Sequence, residues 1–153
     1  MAVSLRTCAE LLAAERVRHH VDLEEHVIRV VLVTREYRNL RDEKLAILQV
    51  AVPDEGRRCR VTIERAFAVG ADAAATCLEL CRAAADTPTV GVEFDADFDN
   101  LRMVVETVVE DGDLSRRQLI SMVDALKEAA EIWHAVLGGT CLGVGAGRPR
   151  AAS

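Results

Sequence analysis

The residues best spaced for chemistry are the acids Asp95, Asp97 and Asp99, followed by Asn100 and by Glu106. Alternate carboxylates with a distant glutamate are the pattern by which a calcium loop encloses a hard cation. The match stops there. Asn100 stands where the motif wants glycine, Arg102 stands where it wants an apolar side chain, and the flanks read as strands where it wants helices. A hairpin turn kept soluble by acids accounts for the same residues. A calcium-responsive regulator using the Asp95–Glu106 loop is therefore the alternative reading and not the first. Cys77 and Cys81 are four apart on a helical pattern, so both thiols could face one metal, but structural zinc needs two further ligands. His19, His20 and His26 are the nearest donors in type and are remote in sequence. Two small apolar side chains packed in a core is the expectation for the cysteines. His19 and His20 are read as surface residues near a helix end.

No nucleophile elbow, zinc-protease helix, phosphate loop or dinucleotide fingerprint occurs. Gly143, Gly145 and Gly147 have no strand–helix frame around them. The sequence thus gives no catalytic, cofactor-binding or metal-ligating residue, and no cofactor is expected. An enzyme would need convergent polar groups that the pattern does not supply.

Bulk properties point the same way. The chain has 153 residues, a formal charge of −6, 29% charged residues and only 3% aromatics. That length fits one domain. The acidic balance repels polyphosphate backbones, and few rings are present for base stacking. Arg57, Arg58, Arg60 and Arg65 form the one basic cluster, and strand alternation reads it as a solvated face rather than a nucleic-acid site. No stretch reaches the ~18 apolar residues of a membrane span, and no secretory signal is recognised near residues 1–18. Five cysteines, an odd number, suit free, mostly buried thiols in a reducing cytoplasm.

Hydrophobic periodicity then orders the elements. Ser4 caps a helix over 5–17 with Leu5, Cys8, Leu11 and Leu12 on one side. A short strand near Val21, then Val27–Thr34 and Leu45–Val52, are separated by a charged connection over 35–44. Pro53-Asp54-Glu55-Gly56 has the residues of a tight turn, and Arg58–Glu64 returns with Cys59, Val61 and Ile63 on its apolar side. Asp72 caps a helix over 73–85 whose stripe is Ala74, Cys77, Leu78, Cys81 and Ala85. Val90, Val92 and Phe94 share one face of the next strand; Leu101, Met103, Val105, Thr107 and Val109 share one face of its partner. Ser115 and Gln118 form a capping box. It opens a helix about 34 Å long, with Leu119, Met122, Val123, Leu126, Ala130, Trp133 and Leu137 at three-four spacing. A second apolar line runs through Ala125, Ala129, Ile132 and Val136. Short connections between strands predict an antiparallel meander. The expected class is α+β: about five antiparallel strands, helices mainly on one face, in the order α-β-β-β-α-β-β-α. Residues 4–137 form the domain, and 138–153 a flexible tail.

Three stretches carry a family resemblance: the opening helix LRTCAELLAAERV followed by strands, the hairpin VGVEFDADFDNLRMVVE with its acidic turn, and EDGDLSRRQLISMVDALKEAAEIWHAVL, where a loop leads through a serine cap to a long helix. In this order they resemble the YbjN-like domain, which is similar to the type III secretion chaperone fold. The resemblance implies a single α+β domain, often a homodimer and without an enzyme site. Its members include some described as sensory-transduction regulators, and the secretion chaperones bind extended segments of partner proteins. The expected function is a non-catalytic protein-interaction module, chaperone-like or regulatory. It would hold a protein partner on apolar helix and sheet surfaces and would involve no nucleic acid or membrane.

Overall fold

The structure is a computed structural model that describes residues 2–137. The helices are α1 (Leu5–Ala14), the one-turn α2 (Pro53–Gly56), α3 (Ala73–Ala84) and α4 (Arg116–Val136). The strands are β1 (His19–Asp22), β2 (Val27–Val33), β3 (Leu45–Ala51), β4 (Arg58–Ala68), β5 (Gly91–Asp95) and β6 (Asn100–Val108). All pairings are antiparallel, in the order β1-β2-β3-β4-β6-β5. The class is the α+β arrangement expected, with six strands once the short one at Val21 is counted. The stretch 138–153, expected to be a flexible tail, lies outside the described residues.

Alternation fixes which side of each strand is dry. Ile28 and Val30, Ala46, Leu48 and Val50, Cys59, Val61 and Ile63, and Leu101, Met103 and Val105 are all buried. α1 lies over β1, β2 and β3, α4 crosses β3, β4 and β6, and α3 packs on α4. The seven α4 positions expected from the three-four spacing are all buried. The helix opens as expected: Ser115 Oγ accepts from Gln118 N–H at 3.1 Å, and Gln118 Oε1 accepts from Ser115 N–H at 2.8 Å.

β4 runs four residues further than alternation suggested. A bulge between Ile63 and Phe67 shifts its register against β6, with Arg65 in the left-handed region at φ 50°. The extra residues leave Ala66 and Phe67, adjacent in sequence, both buried. The turn before β4 is tighter than a standard one. Asp54 and Glu55 both have positive φ, and so does Gly56 at 82°. A Cβ on Gly56 would lie 2.2 Å from the Val3 carbonyl oxygen, so the N-terminal segment crosses this turn at a distance only glycine permits.

The charged connection over 35–44, read as exposed, is anchored near its start. Tyr37 is completely buried. Its hydroxyl donates to the Ala66 carbonyl at 2.9 Å, and its ring meets Phe67 edge-on at 5.6 Å. Burial pushes its phenol well above the usual range.

Candidate functional site

The acids whose spacing imitates a calcium loop are not brought together. Asp95 Oδ1 accepts from the Asp97 backbone N–H at 3.1 Å, and its Oδ2 accepts from Arg102 at 3.3 Å. Glu106 lies further along β6, where it is bonded to Arg58 and Arg60. The calcium loop therefore has neither converging ligands nor an unneutralised glutamate, and the Asp95–Glu106 reading loses its geometric basis. Among the described residues no three His, Cys, Asp or Glu side chains converge as a metal site requires. The histidines sit on β1 and its turn rather than near a helix end. His19 is half-buried, with Nδ1 2.8 Å from the Val17 carbonyl, while His20 and His26 are exposed.

Arg58 and Arg60 of the expected cluster join Arg102 in a charge lattice on the sheet face away from the helices, and Arg57 and Arg65 take no part in it. Arg58 binds Asp54 at 2.6 Å and also Glu106. Arg60 joins Glu106 at 3.0 Å and also Glu93. Arg102 reaches Glu64, Glu93 at 3.1 Å and Asp95 at 3.3 Å. The Arg60↔Glu106 and Glu93↔Arg102 pairs stand directly opposite in register, the arrangement in which cross-strand charges interact. Burial alone would raise Glu93, but the hydrogen bonds from Arg60 and Arg102 outweigh it and hold the carboxyl below its usual range. Arg58, Arg60 and Arg102 are thus occupied by acids, while Arg65 lies over the Phe98 ring at 3.7 Å.

Arg102→Met should show what the lattice contributes. Three carboxylates would lose one shared partner, at a cost of about 1–2 kcal/mol given their partial exposure. Urea titrations at low and at molar salt check this. The loss should shrink at high salt, where the stranded acids repel each other less.

On α3 the packed face is not the one expected. The expected stripe of Ala74, Cys77, Leu78, Cys81 and Ala85 faces solvent, and the helix packs on α4 with Thr76, Leu80 and Ala83. The two cysteines are exposed, correcting the expectation that they pack in a core. The reason is local. Thr76 Oγ1 donates back to the Asp72 carbonyl at 3.1 Å, which satisfies its hydroxyl and lets its methyl face inward. The helix has small residues all round, so size does not choose a face. β5 departs in a similar way. Val92 and Phe94 pair with Met103 and Leu101 and so lie on the helix side, yet they are 38% and 57% exposed. They lie on an edge strand that the helices do not fully cover. Leu78 is 54% exposed.

These surfaces sit on a known architecture. The chain matches the crystal structure of YbjN from E. coli with a TM-score of 0.62 and 14% identity, covering 91% of this chain and 95% of that one. It matches the HopA1–SchA chaperone–effector complex with a TM-score of 0.56 and 11% identity, over 82% and 88% of the two chains. It matches the ExsC–ExsE complex with a TM-score of 0.56 and 14% identity, over 90% and 97%. No protein-family model and no curated protein sequence matches the chain. At these identities the likeness establishes the fold. The molecule is an α+β protein with the YbjN-like, secretion-chaperone-like fold that the sequence pattern suggested.

Proposed function

We propose that this chain is a non-catalytic protein-interaction module, chaperone-like or regulatory. In this reading it pairs with a second copy through the outward stripe of α3 and binds a partner polypeptide through its remaining apolar helix and sheet surfaces. The observation that carries the proposal is the exposure of Ala74, Cys77, Leu78, Cys81 and Ala85 on one side of α3. Small side chains allow close helix approach, and the one large residue, Leu78, supplies a central apolar anchor. Exposed Val92 and Phe94 offer a partner chain alternate side chains on an edge strand. The occupation of Arg58, Arg60 and Arg102 by carboxylates supports a non-catalytic role, since groups saturated by one another are not poised for proton transfer. Two of the similar structures are complexes, one of them the HopA1–SchA chaperone–effector complex. No helix among the described residues is long and apolar enough to cross a membrane. Free thiols at Cys8, Cys59, Cys77 and Cys81 suit the reducing cytoplasm as its compartment.

Sedimentation equilibrium tests the pairing. The wild-type chain should be dimeric at high micromolar concentration. Leu78→Asp should be monomeric yet keep the wild-type circular-dichroism spectrum, because Leu78 is 54% exposed and contributes little to the core. A wild-type protein that remains monomeric throughout that range would remove the α3 interface. Capture from native cell extract, with Phe94→Asp as the control bait, tests partner binding. A polypeptide retained equally by both baits does not use the edge strand.

A further inference from the structure

The open face of the sheet also carries a groove, beside the charge lattice. Ile47 and Gln49 of β3 line it from the side turned away from the helices, alternating with buried Ala46, Leu48 and Val50. The turn after Tyr37 contributes Leu40 and Arg41, and the β4 bulge contributes Arg65. The groove encloses about 550 Å³, a volume usual for a ligand cleft. Its turn wall is preformed. Asn39 Oδ1 accepts from the Arg41 and Glu43 N–H groups at 2.9 and 3.0 Å, and the Asp42 N–H donates to the Asn39 carbonyl at 2.9 Å. A wall already held in place costs a partner little ordering.

Charge separates this groove from the rest of the face. At its edges Arg29 is paired with Asp22, and Glu64 with Arg102. Arg41 and Arg65 are exposed, and neither forms an ion pair among the described residues. Arg65 meets only the Phe98 ring. A chain of formal charge −6 therefore gathers uncompensated guanidiniums around an apolar floor, where exposed Ile47 stands directly opposite exposed Val31. Resting on the reading of this chain as a protein-interaction module, we propose that the groove seats an acidic segment of the partner polypeptide. Arg41 and Arg65 take its carboxylates, and Leu40, Ile47 and Val31 take the apolar side chains between them. Guanidinium suits this role because its fork of donors matches a carboxylate. The chain's own residues 138–153 carry Arg148 and Arg150 and no acid, so charge argues against them as the occupant. Nucleic acid would satisfy the arginines but not the floor. Tyr37, the one ring in the lining, is completely buried and gives bases nothing to stack on.

The test begins with a random-peptide phage library selected on the full wild-type chain and counter-selected on Arg41→Glu. The surviving sequences should be enriched in Asp and Glu interspersed with apolar residues. A fluorescent synthetic copy of the commonest one should bind saturably in an anisotropy titration. Its affinity should fall about tenfold with Arg41→Glu and further in molar salt. Ile47→Asp, which puts a carboxylate on the floor, should abolish binding. Both positions are exposed, and circular dichroism checks that both variants keep the wild-type fold. Leu78→Asp should bind the peptide as wild type does, so loss of pairing and loss of the groove are read separately. No surviving sequence, survivors without an acidic excess, or equal affinity for wild type and Arg41→Glu overturns the proposal. So does a mixed-sequence single-stranded oligonucleotide that binds more tightly than the peptide and with the same dependence on Arg41. A polypeptide captured from extract equally well by wild type and Arg41→Glu would leave the interaction module standing and remove the groove.

Discussion

Glu131→Ala should lower the melting temperature by about 6–12 °C, a loss of about 2–4 kcal/mol. Glu131 lies on the inner side of α4 and is 8% exposed. Its carboxylate accepts three successive backbone N–H groups from the start of the β2–β3 connection. Oε1 takes Arg35, while Oε2 takes Glu36 at 2.8 Å and Tyr37 at 2.9 Å. One side chain therefore satisfies the backbone of a segment nearly a hundred residues away in sequence. Truncation strands the buried Tyr37 donor and leaves the part-buried Arg35 and Glu36 donors without their protein acceptor, and a stranded buried donor costs more than the bond itself contributes. Glu131→Gln keeps one acceptor oxygen but turns an NH2 group toward an N–H, so about half the loss should remain. The pH dependence follows from the same contacts. Burial would raise Glu131, but the three N–H bonds outweigh it and hold the carboxyl below its usual range. Its contribution is complete above the unfolded carboxyl pKa, about 4.3, and is lost as pH falls through the lower folded value. His134, one turn along α4, acts in the same direction from a higher pH. Burial lowers its pKa despite nearby Glu131 and Glu36, so acidification from about 6.5 downward also disfavours the fold. Urea titrations from pH 7 to pH 3 separate the two. The gap between wild type and Glu131→Ala should close only at the acid end, and a gap independent of pH would mean that the carboxylate charge is not what holds the loop.

What could be read from the sequence depended on whether a side chain's type announced its neighbours. In α4, Leu119, Met122, Leu126, Trp133 and their companions repeat at helical spacing among polar residues, and one face follows. Glu131 lies in the same helix and was not recognised. An acid among exposed acids looks like solubility, and its partners are backbone groups that a sequence does not distinguish. α3 went wrong for the opposite reason. Its cysteines and Leu78 are more apolar than Thr76 and Ala83, yet Leu80 is the large residue that packs on α4, and Thr76 reaches the same face once its hydroxyl bonds to Asp72. On β4 the alternation of Arg58, Arg60 and Glu64 gave the face. The pairing with Glu93, Glu106 and Arg102 depended on a strand order, with β6 between β4 and β5, that no local pattern contains. The acidic turn shows the same limit: Asp95 and Glu106 have calcium-loop spacing along a chain, but on a strand that spacing separates ligands instead of enclosing a cation.

Trp133→Ala should cost about 3–5 kcal/mol, a large fraction of the roughly 5–15 kcal/mol that holds an ordinary domain folded. The indole is fully buried. It lies 6.2 Å from the Phe67 ring and donates from Nε1 to Thr87 Oγ1 at 3.0 Å. The ring thus connects the α4 core to the residues that follow α3. Circular dichroism must report the unfolding, since Trp133 is the only tryptophan and the substitution removes the fluorescent probe. Trp133→Phe keeps an aromatic body but loses the N–H and leaves a small void, so about 1–2 kcal/mol is expected. Thr87→Val leaves the indole N–H unsatisfied and should cost a similar amount. The double variant should cost less than the sum of the singles, because both remove one bond. The consequence for association follows from position. Thr87 fixes the exit of α3, whose outer stripe is the surface proposed for pairing. Thr87→Val should therefore weaken self-association while the protein remains folded, although Thr87 itself is buried. If it melts lower yet pairs as tightly as wild type, α3 holds its pairing geometry without the Trp133 anchor, and the stripe alone determines the dimer.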